Sequence, residues 1–448
     1  MKDSHHPKIY FQLLFIVFLL TTMKAGAIEY KFNFGAADKK GYWKIKHSTV
    51  YGPTSPFGYD MNTVPKDNDP YFFSVTLPEG NYKVTVVLGN KKETTNTTVR
   101  AESRRLMLEN VKTSPGKFVT RSFIVNIRNT KIGNDDSVRI KKREIGKLNW
   151  DNKLTLEING EKPGLVEMVI EDVNVPTLFL AGNSTVVDQD EEPWCGWGQI
   201  LPRFLKPKIA VANYAESGEA ANTFISSKRL AKLLTKMGEG DYLFIEFGHN
   251  DQKQKGQDIG PYTSFKKSLK YFIDECRKKG GIPVLITPVN RRSFDENGKI
   301  INTLGDYPDA MRQLAKEENV MLVDLNQITK TLYEAWGPEE SIKAFVHYPA
   351  GTFPNQIQPL ADNTHFNTYG GYEICKCVLK GLIDNNSPLK KYIVKEVWTF
   401  DPAHPDDINN FFIPPSPFYS LLKFRTSERA ENKGEKRDKK RKKAAYFV

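Results

Sequence analysis

Hydrophobic and polar positions change rhythm once along this chain, near residue 175. Before that point the apolar residues fall in short runs rich in Val, Phe and Thr, at 72–77, 82–88 and 153–158. Runs of that length bounded by turn residues predict β-strands. Pro78-Glu79-Gly80-Asn81, between the first two, has the chemistry of a turn: proline presets φ and glycine supplies positive φ. No helical periodicity interrupts 28–175, so an all-β sandwich of antiparallel strands is expected there. This stretch holds no catalytic constellation. Its aromatics Tyr42, Trp43, Tyr51, Phe57 and Tyr59 read as core or turn packing, with stacking on sugars as the alternative.

After Asn174-Val175-Pro176, strand-like runs at 177–180, 209–213, 242–247, 283–287 and 320–325 alternate with helical segments at 222–237, 262–279, 308–318 and 368–384. Phe265, Leu269, Phe272 and Cys276 recur at helical spacing and give the second helix one apolar face. Strict alternation of strand and helix predicts an α/β domain over 176–394, with a parallel sheet covered by helices on both faces. Beyond Trp398 the chain becomes proline-rich (Pro402, Pro405, Pro414, Pro415, Pro417) and then charged. The segment 395–448 is therefore expected to be a loosely packed, partly disordered tail.

Length and charge refine this picture. A chain of 448 residues can bury two separate cores. The net charge of +12 suggests nucleic acid, yet half of the excess lies between Arg425 and Lys443. A charge run of that kind is a solvated tail more often than a binding site. At the other end, Lys2 and Lys8 precede an apolar run at 9–20, and Ala25-Gly26-Ala27 provides small residues for cleavage. The run is too short for a membrane span, so 1–27 reads as a signal peptide of a secreted or periplasmic protein, which leaves no stable membrane span after cleavage and argues against nucleic acid as partner. Cys375 and Cys377 are too close to pair, and nothing in the spacing of Cys195 and Cys276 demands a bond. Neither a zinc pattern nor a disulfide framework is present, and no metal or cofactor is expected.

Each strand-to-helix junction of the second region places a polar group where open α/β sheets bind their ligands. The apolar run ending in Ala181-Gly182 delivers Ser184. The next junction carries Ser217-Gly218, the third Gly248-His249-Asn250-Asp251, and Asp362-Asn363-Thr364-His365 precedes the last helix. A hydroxyl is a poor nucleophile at neutral pH and needs a base, itself oriented by a third group. His365 can be that base for Ser184, with Asp362 accepting the other ring N–H. Acyl transfer also needs donors where the oxyanion develops; Ser184 N–H, Gly218 N–H and the Asn250 side-chain amide are the candidates. Each motif alone has a structural alternative, because Asp-x-x-His can cap a helix and Gly-His-Asn-Asp can be a tight turn. Four in order on one sheet edge are harder to explain structurally.

These four segments resemble the sequence blocks of the SGNH, or GDSL-like, hydrolases. Ala181-Gly182-Asn183-Ser184-Thr185-Val186, Gly196-Trp197-Gly198-Gln199-Ile200-Leu201-Pro202 and Asp362-Asn363-Thr364-His365-Phe366-Asn367 are similar to rhamnogalacturonan acetylesterases in particular. Over about 177–392 the resemblance implies a flavodoxin-like α/β/α domain, metal-free deacetylation, Ser184 as nucleophile, and Asp362 and His365 as its partners. The preceding β region is similar to galactose-binding-like sandwiches. Asn183 stands where the family usually carries aspartate. The implied function is an esterase removing acetyl groups from a pectic polysaccharide, rhamnogalacturonan. The alternatives are an esterase for another acetylated glycan such as xylan, a lipase-like esterase, or a carbohydrate-binding protein with a decayed catalytic domain.

Overall fold

The computed structural model describes residues 28–418 and Leu422. The segment read as a signal peptide and the whole basic run from Arg425 to Lys443 lie outside the described residues. The first region builds two facing sheets. In chain order its strands are β1 (Glu29–Asn33), β2 (Trp43–Lys44), β3 (Phe57–Asp60), β4 (Tyr71–Thr76), β5 (Gly80–Gly89), β6 (Thr95–Ala101), β7 (Arg105–Thr113) and β8 (Phe118–Ile127). A two-residue ribbon, β9 (Lys131–Ile132) and β10 (Asp136–Ser137), precedes β11 (Lys153–Asn159) and β12 (Leu165–Asp172).

One sheet runs β2-β1-β12-β5-β8 and the other β3-β4-β11-β6-β7. Every pairing is antiparallel except β1 with β2. Tyr82, Val84, Val86 and Leu88 alternate inward along β5 and meet Phe73, Leu154 and Leu156 of the opposite sheet in one core. That is the period of two expected of a half-buried strand.

The second region is organised differently. Its strands β13 (Thr177–Gly182), β14 (Ala210–Asn213), β15 (Tyr242–Glu246), β16 (Ile282–Ile286) and β17 (Met321–Val323) form one parallel sheet in the order β14-β13-β15-β16-β17. Every residue of β13, β14 and β15 is buried, which is why they read as unbroken apolar runs rather than alternating ones. Helices α1 (Ala221–Ser226), α2 (Arg229–Leu234), α3 (Lys266–Lys278) and α4 (Tyr307–Glu317) pack on the face that carries Phe179 and Ala181. Helices α5 (Leu325–Glu340) and α6 (Thr368–Asp384) cover the opposite face, with Leu178 and Leu180. A hairpin of β18 (Phe345–Tyr348) and β19 (Leu360–Phe366) lies between them in sequence.

Two features depart from the sequence expectation. The helix expected at 222–237 is split into α1 and α2 at Lys228, whose φ of 63° is left-handed. The proline-rich stretch expected to pack loosely folds back along the first region. There the Pro414 carbonyl accepts from Arg100, and Ser416 Oγ donates to Glu157 at 2.7 Å. Cys195 and Cys276 belong to cores on opposite faces of the parallel sheet, and all four cysteines are buried and free. No helix among the described residues is long and apolar enough to cross a membrane.

The two regions share buried polar contacts rather than a loose linker. Leu106 of β7 enters the core that holds Leu178 and Trp197. Arg105 lies 3.1 Å from Asp188, both about 1% exposed, and Gln199 donates to the Ser103 carbonyl at 2.8 Å.

Candidate active site

At the carboxyl end of β13 the chain must turn at once, and Gly182 lets it. A Cβ there would come within 2.6 Å of Val186 Cγ2. The turn lifts Ser184, 9% exposed, to the sheet edge. Its Oγ lies 2.7 Å from His365 Nε2, across 181 residues of sequence. His365 Nδ1 lies 2.6 Å from Asp362 Oδ2. The other carboxylate oxygen accepts the backbone N–H groups of Thr364 and His365 at 2.8 and 3.0 Å. Burial pushes the Asp362 carboxyl up, but the imidazole and these two N–H groups outweigh it and hold it at about 2. Asp362 is therefore a fixed anion at neutral pH, and it leaves Nε2 free to accept the serine proton.

The remaining sequence candidates converge on the same edge. Gly218 has φ of 78°, which a side chain would strain, and it follows Glu216, whose N–H donates to the Gly182 carbonyl at 3.2 Å. The N–H groups of Ser184 and Gly218 donate to no protein group among the described residues. Asn250 is oriented from both ends of its amide. Nδ2 donates to the Glu219 carbonyl at 3.0 Å, and Oδ1 accepts Lys253 Nζ at 3.1 Å, so one N–H of the amide is left over. Asp251 ties the junctions together by accepting Gly248 N–H at 2.9 Å and Ala221 N–H at 2.8 Å. Burial, partly offset by these bonds, raises its carboxyl to about 6. His249 is buried beside the Val289 carbonyl without a well-formed hydrogen bond, and burial, with Arg291 and His365 nearby, lowers its ring to about 3. It is neutral at pH 7. Among the described residues no group of three or more His, Cys, Asp or Glu side chains is arranged to hold a metal ion.

Sequence reasoning missed what supports this edge. Asn183 is fully buried; its Oδ1 accepts Thr185 N–H at 3.1 Å and Thr185 Oγ1 at 2.9 Å. The same hydroxyl lies 2.9 Å from Glu246 Oε1, so a carboxylate stands one hydroxyl away from the position where the family usually carries aspartate. Burial raises Glu246 to about 7 despite hydrogen bonds from Trp197 and Thr185. The first region also reaches the site. Arg104 donates to the Trp194 carbonyl at 2.9 Å and pairs with Glu192, while Gln189 in the same loop donates to the Ser184 carbonyl at 3.1 Å. Lys141 Nζ donates to the Ser217 carbonyl at 2.7 Å, beside Gly218. The contacts made by Arg104 and Lys141 have no local signature, since their partners are 76 to 90 residues away across the two regions.

A profile of the GDSL-like Lipase/Acylhydrolase family matches residues 180–370, which span all four junctions. Rhamnogalacturonan acetylesterase RhgT of Bacillus subtilis (strain 168) is 46% identical over 219 residues, 48% of this chain and 94% of its own. The chain belongs to the GDSL/SGNH esterase family. It is a carboxylic ester hydrolase of that family. Two further relatives from the same organism are Probable rhamnogalacturonan acetylesterase YesY and Uncharacterized esterase YxiM. The first is 37% identical over 222 residues, 49% of this chain and 98% of its own. The second is 26% identical over 354 residues, 71% of this chain and 84% of its own, so that similarity extends beyond the length of the parallel-sheet region.

Proposed function

We propose that this esterase removes acetyl groups from rhamnogalacturonan, with Ser184, His365 and Asp362 as its catalytic triad. The observation that carries the mechanism is the unbroken relay from Ser184 Oγ through His365 to Asp362, at 2.7 and 2.6 Å. His365 takes the hydroxyl proton as Ser184 attacks the acetyl carbonyl. The N–H groups of Ser184 and Gly218 and the spare Asn250 amide proton receive the oxyanion. His365 then returns the proton to the sugar oxygen as its bond to the acetyl carbon breaks, releasing the free hydroxyl, and water removes the acetyl group from Ser184 by the same route. Asp362 keeps the ring in the required tautomer and stabilises the imidazolium.

The substrate rests on similarity to RhgT and YesY, whose names carry that activity. The strand order of the parallel sheet, 2-1-3-4-5 when numbered within its own region, supports a flavodoxin-like catalytic domain over 176–394. Two largely antiparallel sheets over one core support a galactose-binding-like sandwich over 28–175. The amino-terminal pattern of residues 1–27 supports export, to the outside or the periplasm. Acetate release from acetylated rhamnogalacturonan, xylan and mannan, with Ser184→Ala as control, tests the reading. Preference for xylan or mannan would overturn the substrate, and undiminished release by folded Ser184→Ala would overturn the mechanism.

A further inference from the structure

Two adjacent arginines at the sheet edge have no part in the chemistry just described. Arg291 and Arg292 follow β16 and contact residues next in sequence to Asn250 and Asp362. Arg292 N–H donates to the Asn363 carbonyl at 2.8 Å, and its guanidinium donates to Asn363 Oδ1 at 3.1 Å, one residue from Asp362. The Arg291 guanidinium lies 3.5 Å from the His249 carbonyl, one residue from Asn250, and donates to the Thr303 carbonyl at 3.1 Å. Arg292 also donates to Ser341 Oγ at 2.9 Å. Every acceptor around the pair is neutral.

That is unusual in this molecule. Every other buried or half-buried arginine among the described residues has a carboxylate oxygen within 4.0 Å. Arg291 and Arg292 have none, and Glu339 acts on Arg292 only from farther away. Desolvation lowers both guanidinium pKa values, with no carboxylate at contact distance to offset it. A partly desolvated guanidinium without a counterion is costly, and its planar fork is shaped to hold a carboxylate with two parallel hydrogen bonds. Lys253, on the Asn250 side, adds a third cation whose one polar partner among the described residues is the Asn250 amide oxygen.

We propose that Arg291 and Arg292 form a subsite for a sugar carboxylate, which places a uronate residue of an acidic polysaccharide beside the acetyl group at Ser184. The inference deepens the reading of the substrate as rhamnogalacturonan and rests on it, because that polymer carries galacturonate. The arginines are positioning residues. They hold the neighbouring sugar, so that polymer binding is turned into orientation of the ester.

The test uses the full chain and the double variant Arg291→Gln/Arg292→Gln, which keeps hydrogen-bonding capacity and removes both charges. Unacetylated oligogalacturonate, and the same oligosaccharide with its carboxyls reduced to alcohols, are compared as inhibitors of aryl acetate hydrolysis. The wild type should bind the acidic form about tenfold more tightly, the scale of a charge-assisted pair, and the gap should shrink as salt is raised. In the variant that gap should close. On acetylated rhamnogalacturonan the variant's kcat/KM should fall about tenfold further than on the aryl ester. Equal inhibition of the wild type by the two oligosaccharides would overturn the subsite and needs no variant to show it. Equal losses on polymer and aryl ester would make the arginines loop braces instead. A wild type that ignores rhamnogalacturonan yet is inhibited selectively by oligogalacturonate would overturn the substrate and leave the subsite standing.

Discussion

Aspartate at position 183 would restore the residue that the family usually carries, and in this chain it should be harmful. The Asn183 side chain is fully buried, and its Nδ2 has no hydrogen-bond partner among the described residues, so a carboxylate placed there would be stripped of water. One of its oxygens would compete with Glu246 for the single proton of the Thr185 hydroxyl, now 2.9 Å from both side chains. Glu246 sets the scale. Burial raises its carboxyl from the ordinary 4.5 to about 7. At 1.36 kcal/mol per pKa unit, keeping it ionised in the folded protein costs about 3 kcal/mol. A second carboxylate in the same pocket should cost at least about as much, out of a typical total stability of about 5–15 kcal/mol.

The sign follows from proton linkage. Because the folded-state pKa is raised, the folded protein keeps a proton that the unfolded chain has released. Stability is therefore highest below about pH 4.5 and is lost as pH rises through about 7. Urea midpoints of Asn183→Asp should match the wild type most closely near about pH 5 and fall well short near about pH 8. Adding Glu246→Gln moves the carboxylate from one side of Thr185 to the other and should recover most of the loss. Equal midpoints of Asn183→Asp and wild type at the higher pH, or a double variant worse than the single one, would refute the shared pocket.

Asp362→Asn should leave the fold intact and lower kcat for acetate release on the order of 10⁴-fold, the cost of losing the tautomer in a serine triad; a tenfold loss would show that the tautomer is set elsewhere. Arg104→Met removes the cationic partner of Glu192, leaving it the long hydrogen bonds from Thr368 and Ser416, and loosens the loop that holds the Ser184 carbonyl. It should destabilise by about 3–5 kcal/mol and lower kcat on a small aryl acetate, whereas unchanged kcat with reduced polymer binding alone would assign the first region to substrate capture.

What the sequence disclosed follows how local each requirement is. Ser184, Asp362 and His365 were legible as candidates because a nucleophile turn and an Asp-x-x-His pair, where a site uses them, need particular residues within a few positions of each other. Gly182 illustrates this, since its missing Cβ leaves room for Val186 four residues on. The buried strands were legible because β13 and β15 are apolar at nearly every position. Helix α5 was not, because Gly337 and Pro338 interrupt it and its first turns carry Asn326 and Thr329. Nor was the hairpin that carries Asp362 and His365, since β19 reads as the polar loop before α6. Arg104, Glu246, Arg291 and Arg292 matter through partners from other strands and loops, and no periodicity reports such pairings.

The central claim is that Ser184 is activated as a nucleophile by His365 and Asp362. A fluorophosphonate, which reacts with activated serine hydroxyls, followed by peptide mass spectrometry tests it most directly. A single adduct is predicted on the peptide containing Ser184, absent in Ser184→Ala and strongly slowed in His365→Ala. An adduct on another serine, or acetate-releasing enzyme that stays unlabelled at Ser184, would contradict it.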